Sequence, residues 1–309
     1  MRLPTFMFAV AFLTSTFPPL ILPAAATSER AIGDILATAS GRTLATAEFW
    51  DRLAKLDVIY IGEEHHNRAH VEAAVSVLEA LLARGRAPAL ALEMFGWDAQ
   101  GALDRYAGNS TSREAFLHEA QWERNWGGPF EDYEPLLATA RRHGLALVAL
   151  NPPLPVVRRV AKSGLVDALF DPETTRWNMH RETFVDNPEY RRTIIDQLRR
   201  CHGGMRDEGY ERMYQASLFR DEAMARTIAG VLTTRSPVVS YTGGGHIQRG
   251  LPVPDRVKRR RPDASSATIY LMAFDRTRAG DIDELIASGI ADYVWLTSVS
   301  EHGPPARCG

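Results

Sequence analysis

The sequence predicts an α/β fold: a mostly parallel sheet with helices on both faces and an inserted helical lobe. Three observations carry that expectation. Six short apolar runs are continuous rather than alternating, as strands covered on both faces must be. Stretches with helical spacing separate several of them. Glycine and proline stand where such helices should stop and start. Strand–helix–strand alternation then implies right-handed crossovers.

The elements follow in chain order. "DVIYIG" (Asp57–Gly62) is the first buried run. Val71, Ala74, Val75, Leu78, Leu81 and Leu82 then repeat at helical spacing, and Gly85 stands where a C-cap glycine belongs. "ALALEM" (Ala89–Met94) is the second run. "YEPLLATARRHG" (Tyr133–Gly144) is a helix with Pro135 in its first turn and Gly144 after its last. "LALVALN" (Leu145–Asn151) and "PVVSYTG" (Pro237–Gly243) are the third and fourth runs. "TIYLMAF" (Thr268–Phe274) and "DYVWLT" (Asp292–Thr297) are the fifth and sixth, with the helical "DIDELIASG" (Asp281–Gly289) between them. Residues 97–132 and 152–235 lack strand patterns and read as helical insertions. The first contains "STSREAFLHEA", with a capping box of Thr111 and Glu114. The second contains the amphipathic "RRTIIDQLRRCHGG" and "YERMYQASLFRDEAMARTIAGVL". Residues 27–309 are therefore expected to form one α/β domain.

Composition sets outer bounds. The 309 residues are 45% hydrophobic and 24% charged, which is ordinary for a globular chain. A net charge of -2 gives no electrostatic reason to expect a nucleic-acid partner. The basic run "RVKRRRP" (Arg256–Pro262) reads as a solvated loop between prolines. The opening residues have one arginine, an apolar stretch and then Ala24–Ala26, the pattern of a signal peptide cleaved after Ala26. Pro18 and Pro19 would break a spanning helix, so no transmembrane segment is expected in the mature chain. A retained anchor is the alternative. No cysteine follows the apolar stretch, so a lipid anchor has no attachment point. The expectation is an exported protein, periplasmic or secreted. Export permits a disulfide between Cys201 and Cys308, and the sequence leaves that pairing open.

In open parallel sheets, ligands bind outside the carboxyl ends of the strands. The first strand releases Gly62, Glu63, Glu64, His65, His66 and, one turn on, His70. The second ends in Glu93, the third in Asn151, and the fourth in "YTGGGH" (Tyr241–His246). Imidazole and carboxylate groups meeting at one edge suit a divalent metal or an activated water. Each group also has a plainer reading. His66 and His70 share a helix face at i, i+4 and can be solvated. Gly243–Gly245 reads equally as a tight turn. Glu93 is harder to set aside, because a carboxylate ending "ALAL" would be buried and must be paired.

"GEEH" (Gly62–His65) and "GGGH" (Gly243–His246) are two GxxH motifs with Glu93 between them. This order resembles the superfamily that holds the Tiki and TraB proteins, the erythromycin esterases and the ChaN haem-binding proteins. Within it the chain is most similar to ChaN, on "VIYIGEEHHNRAH", "LALEMF", "QWERNWGGPFEDYEPLLATAR", "LALVALNPP", "QASLFRDEAMA" and "VVSYTGGGHIQRGLPVP". The resemblance covers most of the chain from Leu56 to Pro254. It implies an α/β core with a helical lobe. From ChaN it implies haem binding in iron uptake, with haem at a homodimer interface and a tyrosine on the iron. Tyr210, Tyr214 and Tyr241 are the candidates by position. Arg220 is a candidate partner for a haem propionate, or for acidic neighbours in the lobe. From Tiki-type members the resemblance implies a divalent-metal-dependent hydrolase, with His65, Glu93 and His246 at the metal and Glu64 as possible base. ChaN proteins are often lipoproteins; this chain departs from them in lacking the lipid-attachment cysteine.

Overall fold

Eight strands form one sheet in the order β2-β1-β8-β7-β3-β6-β4-β5. They are β1 (Ile35–Ala37), β2 (Arg42–Thr43), β3 (Val58–Glu63), β4 (Ala89–Gly96), β5 (Leu147–Asn151), β6 (Val238–Gly243), β7 (Ser266–Ala273) and β8 (Tyr293–Thr297). The computed structural model describes residues 30–300. The proposed leader, residues 1–26, lies outside them. All six apolar runs are strands, and the pairings among them are parallel. The β1–β2 hairpin adds an antiparallel edge on β8. Its strands are too short to leave a period in the sequence.

Strand residues alternate between two helical layers. Ile59, Ile61, Leu90, Leu92, Val239 and Tyr241 face the larger core. That layer holds α1 (Thr46–Leu53), α2 (Arg68–Leu82), α3 (Gln100–Ala107), α4 (Arg113–Glu119), α5 (Trp122–Asn125) and α6 (Glu134–Arg142). Gly85 and Gly144 follow α2 and α6 with φ of 73° and 62°, the left-handed region that glycine enters freely. Ser112, not Thr111, caps α4: its hydroxyl accepts the Ala115 N–H at 3.2 Å. The expected box is one residue out of register, because the cap must reach the third helical amide.

The second insertion forms α7 (Leu154–Ser163), α8 (Leu165–Leu169), α9 (Pro172–Thr175), α10 (Pro188–Cys201) and the long α11 (Asp207–Val231). The second half of α11 joins α12 (Val253–Arg260) against Val58, Tyr60, Ala89, Ala91 and Val238 on the opposite sheet face. Further along the sheet, α13 (Ala279–Ala287) buries Ile282 against Met272, Val294 and Leu296. Cys201 is disulfide-bonded, and the chain's other cysteine, Cys308, lies outside the described residues. No described helix is long and apolar enough to cross a membrane.

The basic run corrects the solvated-loop expectation. It is part of α12, with Pro254 in its first turn, where proline starts a helix rather than ending one. Arg256 is fully buried and donates to the carbonyls of Leu251 and Pro252 at 2.9 and 2.7 Å. Its Nε lies 3.1 Å from Glu222 Oε1, near enough for an ion pair though angled away from a hydrogen bond. Arg259 and Arg260 each approach the same buried Glu222 to 2.8 Å. Glu222 thus ties α12 to α11.

The strand order creates the site. β3 and β6 are neighbours, but the chain leaves β3 towards β4 and leaves β6 towards β7, in opposite directions. Their carboxyl ends therefore form a topological switch point, where open α/β sheets take ligands.

Candidate functional site

The carboxyl ends of β3, β4 and β6 carry two linked ion-pair systems. The first is built on Glu63, the last residue of β3. Its Oε2 accepts the Tyr241 hydroxyl at 2.6 Å, and its Oε1 accepts the Tyr133 hydroxyl at 3.2 Å. His65 Nδ1 lies 2.8 Å from the same Oε1. Tyr133 also accepts the His66 N–H at 3.0 Å, which holds His66 at a left-handed φ of 59°. The His65 side chain remains 41% exposed, and the Trp126 ring stands edge-on to it at 4.8 Å. His65 Nε2 has no hydrogen-bond partner among the described residues.

The second system is built on Glu93. Its Oε2 accepts the Gly243 N–H at 2.6 Å. Its Oε1 takes Arg220 Nη2 at 2.5 Å and lies 3.2 Å from His246 Nε2. Arg220 Nε donates to Asn151 Oδ1 at 3.1 Å. His246 Nδ1 meets Asp221 Oδ1 at 2.6 Å, and the Tyr190 hydroxyl donates to the other Asp221 oxygen. A continuous polar chain therefore runs from Tyr190 in the lobe through Asp221, His246, Glu93 and Arg220 to Asn151.

The charges follow from these contacts. Burial alone would raise the Glu93 carboxyl, but His246, then Arg220 and His65, hold it well below the carboxylate range. Burial alone would lower His246, but the charges of Glu93 and Asp221 win and raise it to about 9. His65 follows the same logic: burial pushes it down, while the Glu63 hydrogen bond and the Glu93 charge raise it above its ordinary value. The Tyr241 hydroxyl is pushed well up, by burial first and then by Glu63.

Gly243 lets the two systems approach each other. A Cβ there would lie 2.8 Å from His65 Cε1 and 3.0 Å from Nε2. Gly243→Ala should therefore push the imidazole off Glu63 and cost about 1–3 kcal/mol by overpacking. Urea unfolding of the variant measures this; an unchanged midpoint would mean the ring has room to give.

His65, Glu93 and His246 do come together, as the two GxxH motifs imply, but not as a metal cage. Both His246 ring nitrogens face carboxylates, and Glu93 is neutralised by Arg220. No described group of three or more His, Cys, Asp or Glu side chains is arranged to hold a metal ion. The donor set does not fit a divalent ion, because His246 is engaged by Asp221 and Glu93, and the Arg220 guanidinium occupies Glu93, which leaves only His65 Nε2 without a partner among the described residues. The Glu64 carboxylate turns to β7, where it accepts the Ala273 N–H at 3.3 Å, and the Glu64 N–H donates to His70 Nδ1 at 2.9 Å. His70 is buried rather than solvated, and His66 precedes α2 instead of sharing a face with it.

The tyrosines are also engaged. Tyr241 is bound to Glu63, Tyr210 donates to the His202 carbonyl at 2.8 Å, and Tyr214 donates to Asp186 at 2.5 Å. All three rings are buried. Arg220 pairs with Glu93 at the end of β4, a carboxylate of the sheet rather than of its own lobe. Side chains that suit a haem at this edge are the open imidazole of His65, the flat Trp126 beside it and the partly exposed Arg220.

Tyr133, Tyr190 and Asp221 are not among the residues the sequence singles out, and Glu63 is named there only as a strand-end residue without a role. A signal exists for two of them. Glu63 has the strand parity of Ile59 and Ile61, which points it into the larger core. Asp221 lies on the helical stripe of Leu218, Ala225 and Ile228, so it must be buried and paired.

Comparison with known proteins adds the family. A family model described as haem-binding uptake, Tiki superfamily, ChaN matches residues 49–257. The chain is similar in fold to a solved structure described as cofacial heme binding to ChaN of Campylobacter jejuni. The TM-score is 0.65 at 18% identity, over 85% of this chain and 95% of that one. It is also 24% identical over 273 residues to Protein RETICULATA-RELATED 5, chloroplastic, of Arabidopsis thaliana. That match takes in 81% of this chain but 35% of the plant protein, so the chain spans about a third of that relative's length.

Proposed function

The chain belongs to the ChaN family of haem-binding uptake proteins in the Tiki superfamily, and from that premise we propose that it is an exported haem-binding protein serving haem or iron uptake. The observation that carries the reading is the extent of the family match. Residues 49–257 contain every side chain of the strand-end edge, from Glu63 to His246. The opening sequence supports export through its signal-peptide pattern. The edge supports haem through an imidazole with one open nitrogen and an aromatic neighbour. Bound haem would supply an iron centre and a large apolar face. The chain's part is to hold that face, fix the axial donor and pair the propionates. Val166 and Phe170, 70% and 77% exposed at i and i+4 about α8, support the pairing of two copies around the ligand.

One experiment tests these points together. Protein recovered from the exported fraction should have the mass of a chain beginning at Thr27. Titration with hemin should give a saturable Soret shift, and the loaded protein should sediment as a dimer. No Soret change at micromolar protein removes the haem reading; a full-length mass removes the cleaved leader; a loaded monomer removes the pairing.

A further inference from the structure

Two separate apolar clusters cover one face of the sheet. One joins the end of α11 and α12 to Val58, Tyr60 and Val238, and the other joins α13 to Met272, Val294 and Leu296. β7 runs between them and turns Thr268 to that face. Thr268 is held there by Asp292, which accepts its N–H at 2.7 Å and its hydroxyl at 2.8 Å. The result is a groove of about 1070 Å3 between α12 and α13, at the amino ends of β7 and β8. That end of the sheet is opposite to the edge of Glu63 and Glu93.

The residues explain the shape. Ala37, Ala39, Ala264, Ala287, Gly289 and Ala291 line the groove, and none has a side chain long enough to fill it. Walls this short leave width for a main chain, while Leu251, Pro254 and Ile286 offer apolar contacts to its side chains. The volume stands at the upper end of the range of about 300–1,000 Å3 that small molecules occupy, which suits a stretch of polypeptide.

The charges explain the preference. Three cations, Arg52, Arg249 and Lys258, and two acids, Asp255 and Asp292, line the groove. Both acids have donors already: Asp255 lies 3.5 Å from Arg259, and Asp292 takes Thr268. Arg52 is paired with Glu48 at 2.8 Å. Arg249 is 39% exposed and only 3.5 Å contact with Glu189 restrains it. Lys258 donates to the Pro262 and Ala264 carbonyls and has no carboxylate partner among the described residues. Two cations are thus left available, and both belong to the same wall. Arg249 precedes α12 and Lys258 lies near its end, so a helix about 12 Å long separates them. An extended peptide covers that distance in about four residues.

We propose that the groove between α12 and α13 docks an extended acidic segment of a partner protein, with two carboxylates about four residues apart meeting Arg249 and Lys258. The haem reading neither requires this surface nor depends on it.

The test uses the full chain and a fluorescein-labelled peptide with two glutamates four residues apart among alanine, leucine and serine. Its anisotropy should rise saturably at low salt, and the glutamine counterpart should bind at least about 10-fold more weakly. Lys258→Glu and Arg249→Glu should each weaken binding by about 10-fold, and added salt should weaken it in wild type. Ala287→Trp places a ring in the groove from an exposed position on the opposite wall and keeps both cations, and it should abolish binding. Urea midpoints near that of wild type separate a lost site from a lost fold. Hemin titration of Lys258→Glu should match wild type, so this proposal and the haem reading fail separately. No saturable change in anisotropy, equal affinity for the glutamate and glutamine peptides, or wild-type affinity in Ala287→Trp overturns the docking proposal.

Discussion

Glu222→Ala should lower the unfolding free energy by about 3–5 kcal/mol, the usual loss when one partner of a buried charge cluster is removed. Glu222 is fully buried, and three guanidinium groups converge on it from α12. Without the carboxylate, Arg256 remains buried with the Leu251, Pro252 and Val185 carbonyls and the Tyr190 ring as partners, none of them charged. Arg260 keeps Glu182 at 2.8 Å. Arg259 keeps Asp255 at 3.5 Å, but the three guanidinium groups then lack the carboxylate they share. For a chain of this size the loss corresponds to a melting point lower by roughly 6–10 °C. The exposed pair of Arg42 and Glu48 provides the contrast, since Glu48→Ala should change the midpoint far less. Chemical denaturation of both variants decides the point. Equal midpoints would show that the Glu222 cluster contributes no more than a surface pair. The charge-neutral exchange Arg256→Met with Glu222→Leu should recover much of the loss, because a packed apolar pair needs no desolvation.

Wild-type protein should lose stability as pH rises from 6.5 to about 9, and His246→Gln should lose much less. His246 moves from an ordinary value of 6.5 to about 9 in the folded chain. A raised folded value means that its contribution is fully present below 6.5 and disappears as pH climbs through 9. A shift of that size is on the order of 3 kcal/mol. Glu93 acts on the other side of the scale. Its folded value is lowered, so its contribution is present above 4.5 and is lost as pH falls. The two contributions overlap most fully between about pH 4.5 and 6.5. The groups facing His246 are Glu93 and Asp221, with Arg220 behind the first and Tyr190 behind the second. The His65 value is also raised, so a smaller alkaline slope should persist in His246→Gln. Urea unfolding across pH 5 to 9 reads the difference. Parallel curves for wild type and variant would remove His246 as the source.

The strand-end edge was legible because continuous apolar runs mark buried parallel strands and the residue after each run must lie at an edge. Gly62–His65, Glu93 and Gly243–His246 could be placed there from spacing alone. Their company could not. Glu63 holds His65, yet the neighbouring Glu64 looks equivalent in "GEEHH", and only the pleat separates them. Arg220, Asp221 and Glu222 are consecutive in the sequence, but α11 sends them to different partners: Glu93, His246 and the α12 arginines. A 100° step per residue does this, and only the packing of α11 on the sheet reveals what each residue meets. The arginines of α12 looked solvated for the same reason, since their counter-ion lies on another helix.

The sequence by itself determined the layers, the strand ends and the family, because periodicity and motif order are properties of a single chain. Only the tertiary structure decided the state of the site. Whether an imidazole can serve as ligand depends on which lone pairs remain after burial has forced every neighbouring charge to find a partner. That accounting closes His246, leaves one nitrogen of His65 open, and is settled by contacts between residues far apart in the chain.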